Sequence, residues 1–253
     1  MSAWLADHRP RLVVLDVSVE IALLARLHGV PVVSMVLPGR RGDPAHLLGL
    51  GVSDLLVAAW PASARGMLLD VPAPLLERLR AIGGLSRFPV REPTPRPDAP
   101  RPGRRRVVVL MGTGGHDLDG SRLACAREQT PDWEWTVLDG SPAAWTDDPF
   151  AMVADADVVL THAGQNAVAE VAAARRPAVV VPQQRPHDEQ TTTGGVLRRR
   201  PWPAVVVDRL PADGWAALLD RAARLDGRAW AGWCDGGAAA RFADLLVAHA
   251  GSA

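Results

Sequence analysis

Short apolar runs rich in valine recur through the second half of this chain, and helical patterns lie between most of them. The runs cover residues 107–111, 136–138, 158–161, 178–181 and 204–207. Runs without polar alternation indicate strands that are buried on both faces, as in a parallel sheet. The helical patterns between and after them cover residues 121–129, 165–174, 189–199, 215–225 and 238–250. This alternation predicts a doubly wound α/β domain.

The first region repeats the pattern on a smaller scale. Strands are predicted at 12–15, 32–36 and 54–58, and helices at 19–28 and 75–82. This is about half of a full doubly wound domain. Six of the 22 prolines fall within residues 89–106, which predicts an extended linker. We therefore divide the chain into a partial domain at 1–88, a linker at 89–106 and a complete domain at 107–253.

The composition excludes several classes of protein. The formal net charge is zero, which argues against a nucleic-acid binder. The two cysteines, Cys125 and Cys234, are too few for a disulfide framework or a zinc site. The chain contains no lysine, so it has no Schiff base and no P-loop lysine. We expect a cytoplasmic protein, with peripheral contact to a membrane left open, because neither a secretory signal nor a membrane span is visible.

One turn carries the groups that an anion site needs. The predicted strand 158–161 is followed by His162, Gly164 and Asn166, and then by a helix that contains Glu170. Ligands of open α/β sheets bind beyond the carboxyl ends of the strands, where helix N-termini offer free N–H groups. We expect Gly164 to allow close backbone approach or a positive φ, and Asn166 to cap the helix or donate an amide hydrogen. A phosphate is the simplest guest, and the Glu170 carboxylate suits a ribose diol.

Two more loops fall at the same predicted edge of the sheet. Residues 183–190 are rich in carboxylates and amides, which suit sugar hydroxyls because they both accept and donate hydrogen bonds. An alternative is that the acids of this loop only cap the helix that follows. The loop that begins at Gly112 offers backbone N–H groups and the hydroxyl of Thr113 to a phosphate. It is neither a dinucleotide fingerprint nor a P-loop.

Together these residues resemble the donor-binding half of GT-B glycosyltransferases, and most closely the glycosyltransferase family 28 C-terminal domain. The resemblance covers about residues 107–250 and implies a fold of two Rossmann-like domains with parallel sheets, the first of them incomplete. It implies that Glu170 binds the ribose of a nucleotide sugar. The donor diphosphate would be bound by Gly112, Thr113, Gly114, His162, Gly164 and Asn166. The donor sugar would be bound by Gln184, Asp188, Glu189 and Gln190. The related UDP-glycosyltransferases have Asp-Gln where this chain has Glu189-Gln190, a mild departure.

The first region resembles the last third of a GT-B acceptor domain, in a shortened form. Asp16 follows its first predicted strand and matches a position that in some members orients the catalytic base. It is the candidate catalytic residue, and the alternative is that Asp16 only caps the helix after it. The portion that usually carries the base has no counterpart here, so a partner subunit that completes the acceptor domain is expected.

The resemblance implies a hexosyltransferase that moves a sugar from a UDP- or TDP-sugar to an acceptor hydroxyl. The nucleotide sugar is a co-substrate, and no cofactor or metal is expected. Asp155 and Asp157 have the spacing of a metal-binding pair but precede a strand, at its wrong end. Three alternatives stay open: a non-catalytic nucleotide-sugar-binding subunit that needs a partner chain, a sugar-nucleotide epimerase or hydrolase, and a chain whose true start lies upstream.

Overall fold

The computed structural model of the chain describes residues 1–92, 103–111, 120–138, 146–199 and 201–251. We call residues 1–92 the first lobe and residues 103–237 the second lobe. The first lobe contains α1 (Ser2–His8), β1 (Val13–Asp16), α2 (Val19–Leu27), β2 (Val32–Val36), β3 (Gly39–Arg40), α3 (Pro44–Val52), β4 (Leu55–Ala58), β5 (Leu68–Leu69), α4 (Ala73–Leu76) and β6 (Leu79–Ala81).

The second lobe is followed by a last helix that packs on the first lobe. Its elements and that helix are β7 (Arg105–Leu110), α5 (Gly120–Gln129), β8 (Trp133–Leu138), α6 (Pro149–Asp155), β9 (Val158–Thr161), α7 (Gln165–Ala173), β10 (Ala178–Val180), α8 (Glu189–Arg199), β11 (Ala204–Val206), α9 (Trp215–Ala223) and α10 (Ala238–Gly251). Two 3₁₀ turns, Pro186–Asp188 and Gly227–Gly232, connect elements of this lobe. No helix of the described residues is both long and apolar enough to cross a membrane.

The second-lobe sheet has the order β11-β10-β9-β7-β8, and its strand pairs are parallel. Residues of its central strands, such as Val107, Val158 and Leu160, are completely buried because helices cover both faces of the sheet. The chain proceeds from β7 to β8 on one side and from β9 to β10 on the other. The sheet therefore has its topological switch point between β7 and β9, where ligands of this architecture bind. The predicted doubly wound α/β class is confirmed.

The first-lobe sheet is also parallel, with the order β1-β2-β4-β6, and β1 forms one edge. The short strands β3 and β5 form a separate parallel ribbon beside it. The predicted helix at 75–82 is wrong, since the helix ends at Leu76 and residues 79–81 form β6. Pairing with β4 satisfies the backbone of β6, and this tertiary contact overrides the local helical periodicity.

The last helix connects the lobes. Phe242, Leu245 and Leu246 of α10 pack against a buried cluster of the first-lobe sheet that includes Val33 and Val57. The Nε of Arg241 donates a hydrogen bond to the carbonyl of Ile82 over 2.8 Å. The sequence division placed this helix in the domain 107–253, whereas its apolar face covers the first lobe.

The segment between the lobes is partly described. Residues 93–102 of the predicted linker lie outside the described residues. Before them, the N–H of Arg91 donates to the carbonyl of Ala173 at the end of α7 over 2.8 Å. After them, β7 begins at Arg105, whose guanidinium pairs with Asp220 and lies 4.1 Å from the ring centroid of Trp133. The first strand of the second lobe thus starts with exposed arginines.

Candidate functional site

The switch point of the second-lobe sheet is fixed by a hydrogen bond between strand ends. Thr161, the last residue of β9, is fully buried, and its Oγ1 donates to the carbonyl of Leu110 at the end of β7 over 2.7 Å. The carboxyl ends of β7 and β9 therefore lie side by side. The predicted diphosphate ligands Gly112, Thr113 and Gly114, which follow β7 in the sequence, lie outside the described residues.

The turn after β9 has a geometry that suits an anion. The N–H of Gly164 donates to Nδ1 of His162 over 2.9 Å. Because Nδ1 accepts, the neutral ring carries its proton on Nε2, which can donate to an anion. Gly164 has a φ of −69°, so it is not needed for a positive φ. A Cβ at this position would lie 2.3 Å from Cε1 of His162, so close approach of the ring requires the glycine.

Helix α7 begins directly after this turn. Gly164 is its N-cap, and Asn166 is its second residue with an exposed side chain. Asn166 is therefore not the helix cap, and its amide remains at the exposed N-terminal end. The helix runs from the switch point into the core, and six of its residues are buried. Its positive end points toward the carboxyl edge of the sheet.

Glu170 lies further along α7, and its carboxylate is shielded from water. Its side chain is 12% exposed, and Oε1 is 2.9 Å from Nε of Arg87 in the first lobe. Burial raises the pKa of Glu170, and the charge of Arg87 lowers it by less. Arg87 is itself 67% exposed, and its guanidinium also lies over the Phe88 ring, 4.6 Å from the centroid.

The loop after β10 is held together by one of its predicted site residues. Oε1 of Gln190 accepts the N–H of Gln183 over 2.9 Å, and both residues are buried. Gln190 therefore ties the two ends of the loop together, and its Nε2 is the end that remains to face a sugar. Gln184 is exposed. Asp188 is exposed as well, has a φ of 56°, and accepts from Nε of Arg40 over 3.2 Å.

Glu189 begins α8 and forms the most buried ion pair across the cleft. Its Oε1 accepts a short hydrogen bond from Nη2 of Arg41, and the Arg41 side chain is only 3% exposed. The backbone allows this contact because Gly39, with a φ of +105°, lies against the loop. A Cβ on Gly39 would be 2.1 Å from the carbonyl oxygen of His187. The carboxylates of Asp188 and Glu189 thus pair with Arg40 and Arg41 of the first lobe. Their role is therefore not limited to capping α8.

Asp16 is exposed at the carboxyl end of β1. It does not cap α2, because the N-cap is Ser18, whose Oγ accepts the N–H of Ile21 over 3.3 Å. The local alternative for Asp16 is therefore wrong. Its proposed link to a catalytic base stays a prediction.

Three arginines of the first lobe were not identified from the sequence. Each pairs with a carboxylate that was: Arg40 with Asp188, Arg41 with Glu189 and Arg87 with Glu170. The pairs join residues far apart in the chain, so local patterns carry no sign of them. The adjacent pair Arg40-Arg41, which begins four positions after the end of the predicted strand 32–36, was the available signal. His162 and the acids of the loop after β10 follow the neighbouring strands β9 and β10, and Glu170 lies further along α7.

Part of the chain matches a known protein family. Residues 128–192 match the sequence profile of the glycosyltransferase family 28 C-terminal domain, a segment that includes His162, Glu170 and Glu189. The predicted family resemblance is confirmed for this segment. No curated protein sequence matches the chain significantly.

Solved structures confirm the GT-B fold. The glycosyltransferase of kitacinnamycin is 18% identical with a TM-score of 0.68, covering 98% of this chain and 78% of that chain. Arabidopsis thaliana UGT89C1 complexed with UDP is 18% identical with a TM-score of 0.62, covering 95% and 72%. A Listeria monocytogenes protein assigned as a UDP-N-acetylglucosamine 2-epimerase is 12% identical with a TM-score of 0.59, covering 100% and 78%. The same fold therefore occurs with both transfer and epimerisation.

Proposed function

We propose that this chain is a glycosyltransferase of the hexosyltransferase type, which transfers a sugar from a UDP- or TDP-sugar to an acceptor hydroxyl. The observation that carries the proposal is the position of His162, Glu170 and Glu189. They follow the neighbouring strands β9 and β10 at the carboxyl edge of one sheet, inside the segment that matches a glycosyltransferase family. The structure with bound UDP among the similar folds supports a nucleotide donor.

The reaction is a displacement at the anomeric carbon of the donor sugar. The acceptor oxygen forms the new bond, and the leaving group departs as a nucleoside diphosphate. The N-terminus of α7, Nε2 of His162 and the loop that begins at Gly112 would stabilise the charge of that diphosphate. Glu170 would bind the ribose, while Glu189 and Gln190 would bind the sugar.

We propose that the reaction needs no metal. Asp155 and Asp157, the two acids with metal-ligand spacing, bind Arg106 instead. Asp157 accepts the N–H of Arg106 over 2.8 Å, and Asp155 pairs with its guanidinium. Both lie where β7 and β9 begin, at the edge of the sheet opposite the candidate site. This supports diphosphate stabilisation by the protein's own donors.

Calorimetry with UDP, TDP and their glucose conjugates tests donor binding. Glu170→Ala should weaken binding by about tenfold or more, because two hydroxyl groups lose a charged acceptor. Glu128→Ala is the matched control, since this exposed glutamate lies on α5. Equal loss in both variants, or no nucleotide binding by the wild-type chain, would refute the proposal.

A specific observation also favours the second candidate, a nucleotide-sugar-binding subunit that acts with a partner chain. Strand β1 pairs only with β2 in the described residues, so its outer edge is open. Val14 and Val17 on and after this strand are 40% and 38% exposed. An open parallel edge with exposed valines suits an added strand that would complete the acceptor domain.

An assay that mixes the chain with a candidate partner protein distinguishes these two candidate functions. The chain is combined with the product of the neighbouring reading frame, and transfer is assayed with each protein alone and together. Transfer by the chain alone favours the complete enzyme, and transfer only by the mixture favours the partner-dependent one. Nucleotide-sugar binding without transfer in any arm indicates a binding subunit. Conversion of UDP-N-acetylglucosamine without an acceptor would instead indicate an epimerase or a hydrolase.

A further inference from the structure

A second histidine at the cleft has the surroundings of a general base. Asp43 is the N-cap of α3, and its Oδ1 accepts the N–H of His46 over 3.1 Å. Its other oxygen, Oδ2, lies 2.5 Å from Nδ1 of His46. One carboxylate therefore both begins the helix and orients the imidazole that the helix carries.

The contacts of the His46 ring determine its tautomer. Nη1 of Arg41 lies 2.9 Å from Nε2 of His46. A guanidinium has donors only, so Nε2 accepts and carries no proton. The ring proton is therefore on Nδ1 and is donated to Asp43. A carboxylate that holds the proton on one nitrogen and leaves a lone pair on the other is the arrangement of an oriented general base.

This lone pair lies close to the predicted sugar site. The guanidinium of Arg41 contacts Nε2 of His46 through Nη1 and the carboxylate of Glu189 through Nη2. The proposed base and the carboxylate proposed to bind the donor sugar are thus one guanidinium group apart. His46 therefore has a suitable position, as well as suitable chemistry, for a role at the anomeric carbon.

His46 also lines an open groove in the first lobe. The groove is small, with a cavity volume of about 40 Å³, and most of its lining is apolar, including Val19, Met35 and Leu50. Its polar lining includes Arg41 and His46. Nε of Arg41 is buried and has no hydrogen-bond partner among the described residues. An acceptor hydroxyl that enters this groove would therefore meet Arg41 and His46 among apolar side chains.

We propose that His46 is the catalytic base of the transfer and that Asp43 is its positioning residue. The inference rests on the proposed function. The acceptor hydroxyl displaces Nη1 of Arg41 from Nε2 and gives its proton to that nitrogen. The freed electron pair of the hydroxyl oxygen forms the bond to the anomeric carbon. The bond from that carbon to the diphosphate breaks, and its electron pair leaves with the nucleoside diphosphate.

The groups around the ring support a reversible proton transfer. Asp43 faces Nδ1, Arg41 faces Nε2, and the ring of His187 packs edge-on with centroids 4.6 Å apart. Glu189 faces the same guanidinium from the other side. Once His46 is protonated, it no longer accepts from Arg41, while the Asp43 carboxylate stabilises the imidazolium.

Nitrogen NMR of the histidine rings in the full chain tests the tautomer without any substrate. In its neutral form, wild-type His46 should carry its proton on Nδ1. Asp43→Ser keeps a capping side chain but removes the carboxylate, and should shift the population toward the proton on Nε2. A wild-type ring protonated on Nε2 while neutral would overturn the assignment of His46.

Turnover tests the same residue in the reaction. Release of UDP from UDP-glucose is measured with a panel of apolar alcohols and phenols, with His249→Gln as the control. His46→Asn should reduce turnover by about 100-fold or more and leave UDP-glucose affinity within about twofold. Turnover within twofold of wild type would overturn the proposal. If the wild-type chain binds no nucleotide sugar, the proposed function fails. The NMR experiment needs no substrate, so it tests the His46 tautomer independently of that function.

Discussion

The two lobes contribute opposite charges to the cleft between them. The first lobe supplies three arginines, Arg40, Arg41 and Arg87, and the second lobe supplies the carboxylates that pair with them. The second lobe alone would carry several acids at the edge where a diphosphate is expected, which is unfavourable for an anion. The first lobe therefore balances the charge of the proposed site.

The lobes also differ in how completely their sheets are covered. The central strands of the second lobe are buried on both faces, whereas the first-lobe sheet ends in the open edge of β1. The proposed donor-binding residues thus follow strands of a sheet that is covered on both faces. Contacts between the lobes then become the points at which the site is most easily disturbed.

The largest effect is expected where the backbones of the two lobes touch. Gly39→Ala would place a Cβ 2.1 Å from the carbonyl of His187 at a φ of +105°. The β3 ribbon must then move away from the loop, so Arg40 and Arg41 would lose Asp188 and Glu189. We expect a loss of about 2–4 kcal/mol in the free energy of unfolding, measured by urea denaturation.

Gly51→Ala is the matched control for that substitution. Gly51 lies in α3, is exposed, and a Cβ there would meet nothing within 4 Å. Alanine favours a helix over glycine, so the control should be neutral or stabilising by up to about 1 kcal/mol. Equal destabilisation by the two substitutions would show that the contact of Gly39 with the loop is not the cause.

A smaller effect, on the affinity for a nucleotide sugar, is expected from the titration of Glu170, one of the acids that pair with an arginine of the first lobe. Burial raises the pKa of Glu170, and a ribose diol binds its ionised form. Affinity for UDP-glucose should therefore fall as the pH drops through this raised pKa, by up to about tenfold per pH unit. Glu170→Gln should bind more weakly and lose this dependence. A wild-type profile that stays flat from about pH 4 to about pH 8 would exclude Glu170 from the site.

The smallest effect is expected at the surface pair of Asp235 with Arg241, a residue of α10 that also donates to Ile82 of the first lobe. Arg241 lies 2.7 Å from Asp235, and the hydrogen bonds lower the pKa of Asp235 to about 2. A lowered pKa adds stability above the ordinary value of 3.8, and this stability is lost as the pH falls toward 2. Asp235→Asn should cost less than about 1 kcal/mol near neutral pH, since the pair is half exposed. The difference should vanish in thermal denaturation near about pH 2, and a difference that grows there would contradict this assignment.

The strands of the second lobe could be predicted because their valines have no role but burial. The run 158–161 became β9 without a change of boundary. Residues 79–81 could not be identified as a strand, because Leu79 and Ala81 pair with β4, whose position depends on the whole sheet. Local periodicity is informative where a strand is buried on both faces, and much less where a short edge strand is only half buried.

The site was predictable to a similar extent. Residues that follow neighbouring strands of a parallel sheet leave from the same edge, which is why His162, Glu170 and Glu189 are predicted to lie near one another. Their partners could not be predicted, since Arg41 and Glu189 are 148 positions apart. The hydrogen bond of Gln190 to its own loop was equally hidden, because a pattern does not show which end of an amide faces inward.

On the proposed function, a nucleoside diphosphate binds at the turn between β9 and α7. A crystal structure of the full chain with UDP would show whether it binds there. We predict the diphosphate at the N–H groups that begin α7, beside His162, with the ribose hydroxyls on the Glu170 carboxylate. UDP bound away from the switch point, with Glu170 still paired only with Arg87, would contradict it.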